Sequence, residues 1–400
     1  MKRLLLLGGL RYLVPVIEAA HKMGHYVITC DYLPDNIAHK FSDEFHNVSI
    51  LDKEAVLKLA KKLKVDGIMS FAVDPGVLTA AYVCEKLGLP SPGPYESVEL
   101  LQNKAKFRDF LARNGFNVPK AKGYSKIEDV FNDINFYNWP VIIKPVDSAG
   151  SKGVTKANKV EDLKVAIETA LKFSHSGQFI IEEFIEKEGF SSDSDCFSLN
   201  GKLVQVTFSD QRFDEKAINP YVPAAYSWPS SMNDRYQSEL TNELQRLISL
   251  LNMQSSLYNV ETRIGKNGKA YIMEVSPRGG GNRIAEMIRN STGQDMITNS
   301  VKVALGDENI DIKPFNFDGY WAEVILQSDK KGVFQDLKID KDFRNKYIVE
   351  IDLWVEKGQK VFSFTGADKT LGTIVMKFNS HKELISSLTE YKDYIKIILN

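Results

Sequence analysis

Two glutamates on either side of an Asn-Gly pair have the clearest chemistry in this sequence. Glu261 and Glu274 each lie in a β-rich run, and Asn267-Gly268 lies between the runs. Asn-Gly in this setting is the strongest short-range signal for a β-hairpin. A two-residue turn there pairs 265 with 270 and, further along, 261 with 274. The register therefore predicts that the two glutamates face each other across the hairpin.

Two ionised carboxylates in this arrangement repel, because cross-strand partners have Cβ atoms roughly 4.5–5.5 Å apart. A proton, an arginine such as Arg263 or Arg278, or a divalent cation can offset the repulsion. Two carboxylates that leave room for phosphate oxygens are the kind of ligand set that Mg²⁺ prefers. The alternative is a register slipped by one residue, which leaves one glutamate as a solvated surface group. The hairpin pattern alone does not decide between them.

The segment that follows, residues 276–283, reads SPRGGGNR. Its two arginines, Arg278 and Arg283, and its three glycines offer charge and bare backbone for holding an anion. The alternative is a turn that is rich in glycine for geometric reasons only.

A lysine and a small-residue loop add a second candidate site for an anion. Lys144 falls within the apolar β-run 141–145, where a charge needs an anionic partner. Residues 147–154 then form a loop that contains Lys152 and whose backbone N–H groups could surround phosphates. This loop joins two strands and does not open a helix, so it is not a Walker A motif. A simple hairpin tip is the alternative.

The elements that position these residues begin with an alternation of strands and helices over residues 1–90. Such alternation predicts a parallel sheet covered by helices, an α/β arrangement. The predicted strands are 3–7, 25–30 and 67–71, and the predicted helices are 12–23, 53–63 and 77–87.

The carboxyl ends of these strands carry few ligand signals. Gly8-Gly9 follows the first strand, but the G-x-G-x-x-G fingerprint is absent, which argues against a dinucleotide site. Asp31 and Asp74 follow the second and third strands and should lie at the same sheet edge. Each is more often an ordinary turn residue than a ligand.

The rest of the chain predicts mixed α+β units. A Pro-rich break at 90–94 precedes a helix over 98–114, and residues 139–183 form a compact α+β unit. Leucines at 240, 244, 247 and 251 share one face of a helix that Asn233 can cap. Further predicted strands are 321–326 and 348–354, and a last unit ends over 391–399.

Bulk composition excludes several classes of function. The 400 residues carry 51 basic and 52 acidic side chains, so no excess of positive charge is available to hold nucleic acid or an anionic membrane. The three cysteines are odd in number and widely spaced, which fits a reduced compartment and neither a disulfide framework nor a zinc site. No apolar run is long enough for a signal peptide or a spanning helix. We expect a cytoplasmic protein.

Taken in order, these segments resemble the ATP-grasp superfamily over essentially the whole chain. The sequence is most similar in style to the carboxylate-amine ligases, including L-amino acid ligases, and less so to biotin carboxylase and carbamoyl phosphate synthetase. The resemblance implies a preATP-grasp α/β domain over 1–93, an ATP-grasp domain over 94–308 with a lid at about 115–185, and a small C-terminal α/β subdomain over 309–400.

The resemblance also implies a nucleotide site. Asn103-Lys104 matches the early lysine motif and Lys144 the second lysine, and both lysines approach ATP phosphates in the family. The loop from Ser148 to Gly153 resembles the glycine-rich loop that closes over the γ-phosphate. Its implied contacts are Ser148, Gly150, Ser151 and Gly153, together with the charge of Lys152.

The family's hinge motif is matched by Glu182-Glu183-Phe184-Ile185. The match implies that Glu182 and the backbone of Glu183 and Ile185 meet adenine. Relatives then place a glutamate on the ribose. Glu188 is the candidate here, although the segment 188–193 departs from the family pattern.

The metal pair of the family is matched by Glu261 and Glu274. Arg278 matches the arginine that stabilises the acyl phosphate and the transferring phosphoryl group. Relatives usually read E-x-N-P-R, whereas this chain has Ser276 at the asparagine position, which is a shorter and weaker candidate metal ligand.

The function implied by the resemblance is an ADP-forming ligase that joins a small carboxylate, such as an amino acid, to an amine through an acyl phosphate. Its cofactors would be ATP and two Mg²⁺ ions, which Mn²⁺ could replace. The substrates would be small molecules, and a second copy of the chain could form a homodimer. No nucleic acid or membrane partner is expected. A carboxylase or phosphoribosylamine-glycine ligase on the same scaffold is the alternative, and a nucleotide-binding protein without turnover is a third.

Overall fold

The computed structural model describes residues 1–400. A parallel sheet opens the chain with strand order β3-β2-β1-β4. All four leucines of β1, a central strand of this sheet, are fully buried, as expected for a strand covered on both faces. The alternation predicted from the sequence is confirmed. The elements are β1 (Arg3–Leu7), α1 (Val14–Lys22), β2 (Tyr26–Asp31), β3 (Glu44–Asn47), α2 (Lys53–Leu63), β4 (Gly67–Ser70) and α3 (Asp74–Leu87).

The single helix predicted over 98–114 is wrong, because the chain forms two helices there. These are α4 (Tyr95–Gln102) and α5 (Lys104–Arg113). Asn103 between them is extended, and its side chain accepts hydrogen bonds from the N–H groups of Ala105 and Lys106. It therefore caps the second helix and ends the first.

A separate antiparallel sheet with order β5-β8-β6-β7 follows. It encloses its own core of twelve buried residues, which includes Val141, Ile143 and Phe179. Residues 139–183 thus form the α+β unit that the pattern predicted, extended by one more strand. The elements are β5 (Ala121–Tyr124), α6 (Ile127–Asn132), β6 (Val141–Pro145), β7 (Thr155–Ala157), α7 (Leu163–Phe173) and β8 (Phe179–Glu183).

The central sheet has the order β10-β9-β13-β14. Helix α8 covers it with Leu240, Leu244 and Leu247 buried, and Asn233 caps this helix as predicted. The elements of this region are β9 (Ser192–Leu199), β10 (Lys202–Val206), β11 (Asp210–Phe213), β12 (Pro223–Trp228), α8 (Asp234–Leu250), β13 (Ser256–Ile264), β14 (Ala270–Ser276), α9 (Ile284–Thr292) and α10 (Met296–Ala304).

A five-stranded sheet, β11-β12-β15-β19-β17, joins two strands before residue 308 to three after it, and a small sheet has the order β18-β16-β20. The predicted domain limits stay a prediction, and the five-stranded sheet crosses one of them. The elements are β15 (Tyr320–Leu326), β16 (Gly332–Ile339), α11 (Lys341–Tyr347), β17 (Ile348–Leu353), β18 (Lys360–Val361), β19 (Gly372–Phe378), α12 (His381–Tyr394) and β20 (Ile395–Leu399).

The two faces of the five-stranded sheet belong to different cores. Trp321, Ile325 and Val375 pack in the core shared with the N-terminal sheet, whereas Ala322 and Val324 pack in the C-terminal core. Residue 323, which lies between the last two, therefore points toward the N-terminal side. No helix in the protein combines the length and apolarity needed to cross a bilayer.

Candidate active site

The hairpin places Glu261 directly opposite Glu274, as predicted, but by a different route. Ile264 pairs with Ala270, so the turn is longer than the predicted two-residue turn, and the predicted pairing of 265 with 270 is wrong. The register then shifts between residues 261 and 262, which leaves Met273 as an extra residue in β14. The register shift caused by the longer turn is reversed by the one-residue bulge, so the two glutamates are still cross-strand partners.

The two carboxylates lie near several cations, and only Glu274 is paired with one of them. Lys104 Nζ lies 3.4 Å from Glu274 Oε1 and donates to the Ser148 carbonyl at 2.9 Å. Burial raises the pKa of Glu261, the charge of Arg263 lowers it, and the charge of Glu274 raises it further. The Glu261 carboxylate accepts no hydrogen bond. No three His, Cys, Asp or Glu side chains are grouped as a metal site. The chain thus offers a two-carboxylate oxygen set with room for phosphate, which fits Mg²⁺.

Lys144 has the anionic partner that its apolar strand requires. Its ammonium forms an ion pair with Glu182, whose other oxygen accepts from Arg108 Nε at 2.9 Å. Although burial raises the pKa of Glu182, Arg108 and Lys144 lower it to about 2. Both carboxylate oxygens of Glu182 thus pair with cations of the chain, and contact of its side chain with adenine stays a prediction.

The backbone of the hinge segment still has free groups. The Glu183 carboxylate accepts from the Asn138 N–H at 3.1 Å, and the Phe184 N–H donates to Pro140 O at 3.0 Å. Ile185 O accepts from Arg263 Nη1 at 3.3 Å, while the Ile185 N–H has no partner within the chain. Glu188 is exposed, and its carboxylate forms no hydrogen bond or ion pair within the chain. Contacts of these residues with a nucleotide stay predictions.

The small-residue loop lies between β6 and β7. Gly150, Ser151 and Gly153 have φ of 66°, 57° and 72°, the left-handed region that glycine tolerates best. Ser151 Oγ donates to Tyr221 O at 2.9 Å, which ties the loop to the chain before β12. Lys152 is exposed and unpaired, so its role in charge neutralisation stays a prediction.

Arg278 is held in place before any ligand binds. Its Nε and Nη2 donate to the two carboxylate oxygens of Asp74 at 2.9 and 2.7 Å, and its Nη1 donates to Asn259 Oδ1 at 3.0 Å. Asp74 opens α3, so a helix of the N-terminal region positions a residue that lies just after β14. Ser276 Oγ also donates to Asp74 Oδ1 at 2.9 Å and accepts from Gln102. Its geometry supports orientation of Asp74, and its metal role stays a prediction.

Sequence reasoning missed two further carboxylates, Asp193 and Asp195 on β9. Asp193 lies opposite Glu261 and Asp195 lies opposite Asn259. Burial, with Glu261 adding for Asp193, raises the pKa of each to about 7. The only available signal was their spacing of two, which puts both side chains on one face of a strand. Serines at the neighbouring positions hid that strand.

Two family models match this chain. One describes an ATP-grasp N-terminal domain and matches residues 17–91, and the other describes an ATP-grasp domain and matches residues 137–286. The second match contains the opposed glutamates and Arg278. Together the matches cover more than half of the sequence.

The chain belongs to the ATP-grasp superfamily.

Curated relatives of this ATP-grasp chain are distant. It is 22% identical over 80% of its length to the C-terminal section of the carbamoyl phosphate synthase large chain of Aquifex aeolicus, covering 60% of that protein. It is 22% identical over 82% of its length to the carbamoyl phosphate synthase large chain of Clostridium perfringens, covering 30% of that protein. The chain thus spans 60% of the length of the first of these relatives and 30% of the second.

Solved structures share the whole ATP-grasp fold. L-amino acid ligase from Bacillus licheniformis is 20% identical, with a TM-score of 0.82 and coverage of 100% of this chain and 99% of its own. Phosphoribosylglycinamide synthetase from Anaerococcus prevotii is 20% identical, with a TM-score of 0.76 and full coverage of both chains. At these identities the likeness shows the fold, and the predicted α/β and α+β architecture is confirmed.

The second arginine of the ATP-grasp segment 276–283 is not free to hold an anion. Arg283 is buried and pairs with Glu286 at 3.0 Å and Glu350 at 2.8 Å. The expectation for Arg283 is therefore corrected. Beside it, Asn282 Nδ2 donates to Tyr226 OH at 3.1 Å. Segments 280–283 and 212–226 are thus neighbours.

Proposed function

We propose that this protein is an ATP-dependent ligase that activates a small carboxylate as an acyl phosphate and passes the acyl group to an amine, with release of ADP and phosphate. The observation that carries the proposal is the opposed pair Glu261 and Glu274, with Lys104 beside it and Arg278 held just after the second strand. Two facing carboxylates with cations beside them suit a metal-bound triphosphate.

Glu261 and Glu274 would hold Mg²⁺, and we propose that two ions bind there. Bound Mg²⁺ supplies positive charge that offsets the charge of the phosphates. Lys104 lies close enough to share a phosphate oxygen with this pair, since its ammonium already contacts Glu274 and the loop carbonyl of Ser148. Lys144, fixed by Glu182, places a second positive charge nearby.

Arg278 would orient the group that receives the phosphoryl. Four of its N–H groups are occupied by Asp74, Asn259 and the Gly279 carbonyl, so its direction is fixed and one N–H remains on Nη2. Phosphoryl transfer depends mainly on positioning and electrostatic stabilisation. A preorganised guanidinium requires no rearrangement at the moment of reaction.

A carboxylase or a phosphoribosylglycinamide synthetase-like ligase is a second candidate. The whole-chain likeness to phosphoribosylglycinamide synthetase and to N5-carboxyaminoimidazole ribonucleotide synthetase from Thermotoga maritima favours it. The candidates differ in the compound that stimulates ADP release. Bicarbonate stimulates a carboxylase, whereas a carboxylate with an amine stimulates the proposed ligase.

The test is an ADP-release screen with bicarbonate and with amino acids, alone and in pairs. We expect amino acids to stimulate release and Glu274→Gln to reduce the stimulated rate by about 10³-fold or more, because the metal pair is lost. Glu390→Gln is the matched control, since Glu390 is exposed on α12 far along the chain. Full activity of Glu274→Gln, with the fold intact by circular dichroism, would contradict the metal role.

A further inference from the structure

Three cations lie close together beyond the end of the hinge segment. They are Lys187, Arg212 and Arg263, and all three side chains are half-buried, so solvent reaches each of them. The positive charges of Arg263 and Arg212 both act on Lys187, which places the three groups near one another. None of them has a role in the site described above. A group of like charges of this kind calls for a counter-ion.

No acid of the chain is paired with two of these cations. Arg263 donates to Ser191 Oγ and to Ile185 O, both at 3.3 Å, and neither acceptor carries a net charge. Lys187 forms no ion pair, and the exposed Glu215 acts on it only from beyond ion-pair distance. Burial lowers the pKa of Lys187, and the charge of Arg263 lowers it further. An anion bound between the two cations would relieve their repulsion.

Arg212 adds the third charge from β11. Its Nη2 lies 3.8 Å from Asp210 Oδ2, so the three cations share a single acid within 4.0 Å. Its guanidinium carbon lies 4.1 Å from the centroid of the Phe190 ring, and the Lys187 ammonium lies 5.1 Å from that of the Phe213 ring. An aromatic face attracts a cation but carries no net charge. The rings therefore hold both cations in place without neutralising them.

The cluster shares a face with the pair of opposed glutamates. Glu261 and Arg263 are alternate residues of β13, so their side chains point to the same face with Cα atoms about 7 Å apart. Lys187 forms a β-bridge with Gly265, the next alternate position, and so points to this face too. Because Arg263 donates to Ile185 O, the cluster lies on the hinge side of the glutamates.

We propose that Lys187, Arg212 and Arg263 form a subsite for a phosphate dianion. This inference rests on the proposed function, because a triphosphate held at Glu261 and Glu274 places the ribose of the nucleotide toward the cluster. The phosphate belongs either to an ester on that ribose or to a free inorganic ion. In both cases it is a phosphate group additional to the triphosphate.

The charge and the donors of the cluster fit phosphate. Three positive charges against the one negative charge of Asp210 leave an excess of two. A phosphate monoester carries about −1.5 to −2 at pH 7, whereas a carboxylate carries only one charge. Guanidinium groups bind phosphate oxygens through paired N–H groups, and the Lys187 ammonium adds three donors that have no acceptor within the chain.

The test compares AMP with adenosine 2′,5′-bisphosphate and adenosine 3′,5′-bisphosphate, which differ from it only by a phosphate on the ribose. Isothermal titration calorimetry with Mg²⁺ measures each Kd. We expect one bisphosphate to bind about tenfold or more tightly than AMP, as expected from charge-assisted hydrogen bonds. A second arm adds inorganic phosphate to the AMP complex. A rise in Tm there, with no advantage for either bisphosphate, assigns the subsite to the free ion.

Lys187→Met tests the assignment to these residues, since it keeps the length of the side chain and removes the charge. The advantage of the bisphosphate, or the rise in Tm with phosphate, should fall to about a fifth or less of its wild-type size. The ligand-free Tm should be unchanged or higher, because repulsion is relieved. Lys187→Arg keeps the charge and should retain the response. Lys58→Met, at an exposed position of α2, is the matched control.

Two results would overturn the subsite. In the first, neither bisphosphate binds more tightly than AMP and phosphate does not raise the Tm. In the second, Lys187→Met responds like the wild type. Failure of the proposed function looks different. In that case no acid or amine stimulates ADP release, although the phosphate-dependent response and its loss in Lys187→Met persist.

Discussion

Two buried acids, Glu182 on β8 and Glu323 on β15, have opposite surroundings. Glu182 is paired with both Arg108 and Lys144. Glu323 has no hydrogen-bond partner for either carboxylate oxygen. A buried carboxylate that is paired with two cations is held in a fixed geometry. A buried acid without a partner carries a desolvation cost that nothing in the chain offsets.

The largest effect on stability should come from the paired acid, Glu182. Glu182→Gln leaves two cations without their shared anion, and we expect a loss of about 3–5 kcal/mol in the free energy of unfolding. Urea unfolding followed by circular dichroism measures it. Glu186→Gln, which removes an exposed pair with Lys266, is the control and should have no measurable effect. Equal midpoints for Glu182→Gln and the wild type would remove the contrast between the paired and the unpaired acid.

The pH dependence of this difference follows from the pKa of Glu182. The folded value of about 2 lies below the ordinary value of 4.5, so the stabilisation is present above 4.5 and is lost as pH falls toward 2. The gap in stability between the wild type and Glu182→Gln should therefore narrow over that window. A gap that stays constant from pH 5 to about 2.5 would argue against ionised Glu182 as its source.

Arg278 is held by Asp74 at the start of α3. Asp74→Asn keeps the size of the side chain but removes the charge that holds Arg278. We therefore expect kcat to fall by about 10–100-fold with KM for ATP little changed. Asp74→Glu should recover part of the activity if orientation is the cause. Equal losses in kcat and in affinity for ATP would indicate general damage to the fold instead.

The unpaired acid, Glu323, should show a smaller effect of opposite sign. Glu323→Met removes an unsatisfied buried acid, and we expect a gain of about 1–3 kcal/mol in stability. Burial raises the pKa of Glu323 well above 4.5, so the wild type binds a proton more tightly when folded and loses stability as pH rises above 4.5. The gain should thus be larger at pH 7 than at pH 4. A destabilised Glu323→Met would mean that Glu323 has a hydrogen-bond partner.

The smallest effect is expected for Lys152, which is exposed and unpaired. Lys152→Ala should raise KM for ATP by a few-fold, as expected for a charge that meets phosphate only when the loop closes. A loss as large as that of Glu274→Gln would move Lys152 into the group of essential residues. Steady-state kinetics at two salt concentrations measure this.

Local sequence patterns predicted the pair of opposed glutamates. The other contacts of the site join residues that are far apart in the sequence, so local patterns could not predict them. The opposed glutamates follow from a hairpin signal within fourteen residues, although the longer turn and the compensating bulge at Met273 were invisible. Asp74 and Arg278 are 204 residues apart, so no spacing rule could join them. Strand β9 was missed because serines and aspartates occupy positions where a buried strand usually has apolar residues. The burial of Glu323 could not be predicted from its strand alone, because it depends on how the five-stranded sheet packs.

The most direct test of the central claim is a crystal structure of the protein with Mg²⁺ and a non-hydrolysable ATP analogue. We predict Mg²⁺ at about 2.0–2.1 Å from carboxylate oxygens of both Glu261 and Glu274, with phosphate oxygens completing its coordination. A bound nucleotide whose metal contacts neither glutamate would contradict the account.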